Sequence, residues 1–278
     1  MTCEILGPQA LDYVPCRYGT SKLVFRGPAR AMEAPYVAFI GGTQTFGKFI
    51  EQPYPLKVEH LTGVTSVNFG QVNAGVDVFL KDPVVPEAAR GGRVTVLEVL
   101  GAVNLNNRLY RVHTRRNDRF LRASPDLLRL YPEIDFSQFS FTQHMLHHLY
   151  RTEPERFGVV QRALQRTWLR RMRQLLGQLG GKVVLLRLGG QGKCGAGFAD
   201  RPAATYAGPA LVSDAMMDQL RPVVSAVVDI PVQQYGEKFE RDGMAYTSLE
   251  EAAARCVLGP QVHTVVARAL QPVLDRLM

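Results

Sequence analysis

The sequence predicts an α/β fold in which a five-stranded parallel sheet is covered by helices on both faces. Two patterns carry this expectation. Five apolar runs, Val37–Ile40, Ser66–Gly70, Val94–Gly101, Lys182–Leu188 and Val223–Ile230, are short, rich in Val, Leu and Ile, and lack the polar alternation of a one-sided sheet. Helical patterns lie between several of them, and an alternating strand–helix order gives parallel pairing.

Taken in order, the first 30 residues are poorly patterned and are expected to wrap the surface of a single domain spanning residues 1–278. The first run stops at Gly41-Gly42, followed by Thr43, Gln44 and Thr45. A buried strand ending this way presents a hydroxyl at the carboxyl edge of the sheet, where ligands bind in open α/β folds. The residues after it can start a helix whose free N–H groups favour an anion. Residues 124–180 are too long for a plain crossover and read as a helical insertion covering one rim of the sheet. Ser124-Pro125-Asp126 begins it, with Ser as N-cap and Pro at the first helical position. Within it Val160, Leu164, Trp168, Met172, Leu175 and Leu179 keep three- and four-residue spacing, an amphipathic helix that ends at Gly180-Gly181. The C-terminus reads as helical from Ser248 as N-cap, and again from Pro260.

With 46% hydrophobic and 21% charged residues the composition is that of an ordinary globular chain, which excludes a disordered one. No apolar run approaches the roughly 20 residues of a membrane span, and no basic region followed by an apolar stretch opens the chain. A cytoplasmic location is the resulting expectation. Cys3, Cys16, Cys194 and Cys256 form no CxxC pair, so reduced thiols are expected. The formal charge of +8 raises the question of nucleic acid. Much of it lies on one helix, in Arg162, Arg166, Arg170, Arg171 and Arg173, and no nucleic-acid-binding signature accompanies them. A solvated face is expected there, with a bias toward small polar or anionic substrates.

The stretch Gly41 to Gly47, GGTQTFG, resembles the first block of the SGNH (GDSL-like) hydrolases, with Thr43 in the position of the nucleophilic serine. VNFG at 67–70, followed by Asn73-Ala74-Gly75, resembles the second block, in which a glycine N–H serves an oxyanion hole. Gly101 to Asn104 resembles the third, with an oxyanion-hole asparagine. This resemblance implies a sheet order of 2-1-3-4-5 and an esterase or acyltransferase acting on a polar or carbohydrate-like substrate. Thr43 would be the nucleophile or substrate anchor, and Gly70 and Asn104 the oxyanion donors, with Asn73 and Asn107 beside them. The last block of that family, Asp-x-x-His, is not reproduced: only Pro260 stands where the Asp belongs before His263. GGTQTFGKF, VNAGVDVFL and NNRLYRVHTRRNDRFL together resemble an uncharacterised bacterial family, which brings no chemistry with it.

Threonine hydroxyls do act as nucleophiles, although the extra methyl restricts χ1 and crowds attack. The bland alternative for Thr43 is a helix N-cap. His263 and His113 are the candidate bases, with Asp118 able to orient His113. RLYRVHTRRNDR at 108–119 carries five arginines, of which Arg108, Arg115 and Arg116 are candidates to clamp a carboxylate, phosphate or sulfate. That makes binding or transfer of an anionic group the second functional expectation, against a solvated loop with internal salt bridges. His144, His147 and His148 share a helical spacing but form no known metal signature, so packing is expected of them and neither metal nor cofactor is implied. GGQGKCGAG at 189–197 lacks P-loop spacing and reads as a loop beside the site. Asp229 reads as a capping or turn residue before Pro231, or as the partner of a base. Oligomeric state is not legible.

Overall fold

The computed structural model describes residues 11–33, 35–189, 209–232 and 242–278. Its sheet strands are β1 (Tyr36–Ile40), β2 (Thr65–Asn68), β3 (Val94–Glu98), β6 (Val183–Leu188) and β7 (Ala226–Ile230). They pair in parallel in the order β2-β1-β3-β6-β7, which is 2-1-3-4-5 counted over the sheet strands alone. All five residues of β1 and of β3 are buried. That is why these runs lack polar alternation, since helices cover both faces.

One face carries α3 (Val76–Leu80), α4 (Val85–Gly91) and α7 (Pro154–Leu179). Their side chains share a core with Ala38, Ile40, Leu97 and Leu185. The other face carries α2 (Tyr54–Thr62) and α10 (Pro260–Leu277), packed on Val37, Phe39, Val96, Val184 and Leu186. The result is a three-layer α/β/α arrangement. Three short helices, α1 (Thr43–Phe46), α8 (Asp214–Asp218) and α9 (Glu251–Ala254), lie in the connections.

Three expectations need correction. The helix that ends at Leu179 does not cover a rim. It is the crossover between β3 and β6 and packs on α3 and α4, because its buried stripe, Val160, Leu164, Trp168, Met172, Leu175 and Leu179, is long enough to cross the sheet face. Trp168 is fully buried and donates its indole N–H to the Leu100 carbonyl at 2.8 Å, tying α7 to the chain that leaves β3. The inserted part begins earlier, with an antiparallel hairpin of β4 (Tyr110–Val112) and β5 (Phe120–Ala123). It continues through α5 (Pro125–Leu130) and α6 (Thr142–Thr152). At the C-terminus the N-cap is Thr247, not Ser248, because Thr247 and Glu250 satisfy each other in a capping box.

Of the first 30 residues, Tyr18, Leu23 and Phe25 are buried against Phe69 and the α3 face. Arg26 donates to the Gly47, Ile50 and Glu51 carbonyls at 2.6, 2.7 and 2.8 Å, clamping the turn that follows α1. Ser124 caps α5 as expected, its hydroxyl accepting the Leu127 N–H at 3.3 Å. Ser124→Ala should lower stability by about 1 kcal/mol, read as a lower denaturant midpoint at unchanged slope.

Candidate active site at the carboxyl edge of the sheet

β1 runs out at Ile40, and Gly42 is the N-cap of α1, making Thr43 its first helical residue. The Thr43 hydroxyl is therefore not spent on capping. It accepts the Asn73 N–H at 2.9 Å and donates to Asn73 Oδ1 at 3.4 Å. Asn73 holds a left-handed backbone, φ +56°, a conformation that asparagine adopts more readily than most residues. That turn aims its N–H at Thr43.

From Asn73 the contacts spread to two further segments. Its Nδ2 donates to Asp118 Oδ2 at 3.4 Å, and its carbonyl accepts Asn104 Nδ2 at 3.3 Å. Asn104 Oδ1 accepts the Thr142 hydroxyl at 2.6 Å, and the Thr142 N–H binds the Asp118 carbonyl at 2.9 Å. The ends of β1, β2 and β3, the β4–β5 hairpin and the start of α6 thus meet in one polar cluster. Gly75 permits the approach: a Cβ there would lie 1.6 Å from the Asn104 carbonyl oxygen. Thr43, Asn73 and Asn104 are all partly or fully accessible, whereas Asp118 is buried.

Behind Thr43 lies a carboxyl group that sequence reasoning passed over. Glu98, the last residue of β3, is 4% exposed. Its Oε2 accepts the Gly42 and Thr45 N–H groups at 2.9 and 3.1 Å and is also bonded to the Thr45 hydroxyl. Thr45 Oγ1 in turn lies 2.6 Å from the Tyr54 hydroxyl. The α1 N-terminus therefore already holds an anion-capable group of the protein itself, which corrects the expectation of a free anion site there. Burial raises the Glu98 pKa, and the Thr45 and Gly42 hydrogen bonds oppose that rise. The one signal for Glu98 was an acid inside an apolar strand, VTVLEVLG, where an unpaired charge is rarely buried. Thr142 carried no signal.

Several expected site residues stand elsewhere. The Gly70 N–H is taken by Asn68 Oδ1 at 2.8 Å, and its α-carbon is pressed on the α1 backbone, so it is no oxyanion donor to Thr43. Asn107 is buried in a turn, accepting the Leu109 and Tyr110 N–H groups at 2.8 and 3.2 Å. His113 Nδ1 accepts the Arg115 and Arg116 N–H groups at 3.3 and 3.2 Å, closing the hairpin loop, and those two side chains are exposed. His263 lies in α10, 1% exposed, with Nδ1 accepting the Tyr54 N–H at 3.0 Å and its ring stacked on Tyr54. Burial, then Lys57 and Arg26, push its pKa down to about 3, against a small opposing effect of the Leu258 backbone. Neither histidine is a hydrogen-bond partner of Thr43, whose contacts run to Asn73.

The arginine-rich stretch is also dispersed. Arg111 binds the Asn107 carbonyl at 2.7 Å, Arg119 lies over the Phe141 ring, and Arg108 points to α7. Asp229 pairs with Arg187 and Arg221 at 3.7 and 3.5 Å, which fits neither a cap nor an orienter of a base. His144 and His148 pack on Phe139. Among the described residues no three of His, Cys, Asp and Glu gather as metal ligands, and no helix is long and apolar enough to cross a membrane. The 189–197 loop lies outside the described residues from Gly190 onward.

With this geometry in place, the chain can be set beside known proteins. The family model described as a domain of unknown function, DUF6473, matches residues 1–278. The chain belongs to the DUF6473 family. No curated protein matches it. Among solved structures it is similar to the lipase Lip_vut3 from a goat rumen metagenome, at 11% identity and a TM-score of 0.42, over 86% of this chain and 97% of that one. It is also similar to a Streptococcus pneumonia structure described as a platelet activating factor, at 13% identity and a TM-score of 0.30, over 88% and 84% of the two chains.

Proposed function

We propose that this DUF6473 chain is an SGNH-like ester hydrolase or acyltransferase for a polar substrate, with Thr43 as the acyl-accepting residue. The observation that carries the reading is the convergence of Thr43, Asn73, Asn104 and Asp118 from four separate segments onto one polar cluster in which all but Asp118 are accessible. In such a site the Thr43 oxygen attacks an ester carbonyl and the alcohol leaves as the carbonyl re-forms. The Asn104 amide, held by Thr142 through its oxygen and by the Asn73 carbonyl through one N–H, has its second N–H to meet the developing oxyanion, a contribution of the order of 3 kcal/mol. Asp118 is the carboxylate of the cluster and would take the Thr43 proton through solvent. Asn73 lies between them, where a triad would carry its base, and an amide cannot accept the proton.

That last feature favours a second reading, in which the cluster binds a polar ligand without cleaving it. Hydrolysis of p-nitrophenyl acetate separates the two. The hydrolase reading expects a slow rate above background that Thr43→Ala abolishes with the fold intact. A wild-type rate equal to that of Thr43→Ala leaves the binding reading.

A further inference from the structure

Helix α7 carries six arginines and one acid, Glu155. Three of these arginines have partners: Arg156 with Glu133, Arg171 with the buried Asp77, and Arg173 with Gln219. The other three, Arg162, Arg166 and Arg170, stand at four-residue intervals on one face and are exposed. No carboxylate meets them among the described residues. Arg108, brought over from the chain after β3, faces them across a groove of about 260 Å³ floored by Ala163 and Thr167.

Four guanidinium groups around one groove repel each other, and like charges four residues apart on a helix weaken it. Neighbouring elements supply acids or an amide to its other arginines, so the bare row is a choice of position rather than of composition. Successive members of the row lie about 6 Å apart along the axis, and the row spans about 12 Å. Guanidinium forks match phosphoryl and sulfuryl oxygens in pairs. No aromatic side chain lines the groove, which leaves nucleobases without a stacking platform. Its volume is that of a small ligand.

We infer that the groove between α7 and Arg108 binds a compact polyanion carrying two or more phosphoryl groups, at a site distinct from Thr43. The inference does not depend on the hydrolase reading, because no Thr43-cluster residue lines the groove. The test is thermal unfolding of the full chain with inorganic tripolyphosphate, orthophosphate or a single-stranded oligothymidylate, in wild type, Arg166→Gln and Arg151→Gln. Arg151 is an exposed residue of α6 outside the groove. Tripolyphosphate should raise the Tm by about 3 °C or more at saturation, orthophosphate by much less. Arg166→Gln should lose the shift yet be at least as stable without ligand, because two like-charge pairs are relieved. Arg151→Gln should keep it. The inference is overturned by no shift with tripolyphosphate, by a shift that survives Arg166→Gln, by equal loss in Arg151→Gln, or by a larger shift with the oligonucleotide.

Discussion

Asn73→His should raise the rate of p-nitrophenyl acetate hydrolysis by about 100-fold, the lower end of what a positioned general base contributes. Asn73 occupies the place between hydroxyl and carboxylate, with Oδ1 3.4 Å from the Thr43 hydroxyl and Nδ2 3.4 Å from Asp118 Oδ2. An imidazole also carries two polar atoms separated by one carbon, and unlike the amide it can accept a proton and pass it on. The backbone permits the exchange, since histidine shares with asparagine a raised tolerance for the left-handed conformation found here. Asp118→Asn in the same background should remove most of the gain, as an imidazole without its carboxylate loses its orientation and tautomer. The comparison is steady-state kinetics across pH, where the gain should titrate with one group near the ordinary histidine range. A folded Asn73→His protein with no gain would mean that Asn73 does not bridge nucleophile and acid during reaction.

Acid should destabilise the protein through His263 more than through any other single group described above. Its folded pKa is pushed from 6.5 to about 3 by burial and by Lys57 and Arg26. The sign follows from proton counts. Between these values the unfolded chain binds a proton that the folded one refuses, so stability rises with pH there. The His263 contribution is therefore complete above pH 6.5 and lost progressively as pH falls toward 3. At about 1.36 kcal/mol for each pH unit in that window, it totals roughly 5 kcal/mol. Glu98 acts in the opposite sense. Its pKa is raised, so its contribution is complete below the ordinary glutamate value and declines as pH climbs through the folded one. His263→Gln keeps an acceptor for the Tyr54 N–H and removes the titration. Urea unfolding from pH 7 to pH 4 should show a stability loss in wild type that is much smaller in His263→Gln. Equal losses would place the acid sensitivity elsewhere.

The sheet was legible in the sequence because strands covered on both faces lack polar alternation, and the five runs did, with only isolated polar residues such as Glu98 and Arg187. The crossover helix was legible as a helix and misplaced as a rim insertion, since periodicity reports an apolar stripe and not what it faces. The β4–β5 hairpin was hidden by its arginines: Arg111 is exposed between buried Tyr110 and Val112, and its cross-strand partner Arg122 is exposed two residues after buried Phe120, an edge pattern obscured by charge. Within the site, Thr43, Asn73, Asn104 and Asp118 could be named because each follows a strand end or lies in the hairpin loop that the topology folds over that edge. Gly70 could be named but not oriented. Its N–H is captured two residues away by Asn68, a local turn that competes with any ligand. His263 was correctly placed inside the last helix, and its burial against Tyr54 depends on packing that sequence spacing does not encode.

The most direct measurement is the covalent state of Thr43 itself. Without a base in direct contact with Thr43, breakdown of an acyl-enzyme should be slow along with its formation, so an acylated threonine should persist long enough to isolate. Peptide mass spectrometry after incubation with p-nitrophenyl acetate and an acid quench reads this position. A nucleophilic Thr43 predicts one acetyl group on its own peptide, assigned by fragmentation to the threonine oxygen and absent from Thr43→Ala. An unmodified Thr43 peptide, with acetyl groups found only on lysines in wild type and variant alike, would contradict it.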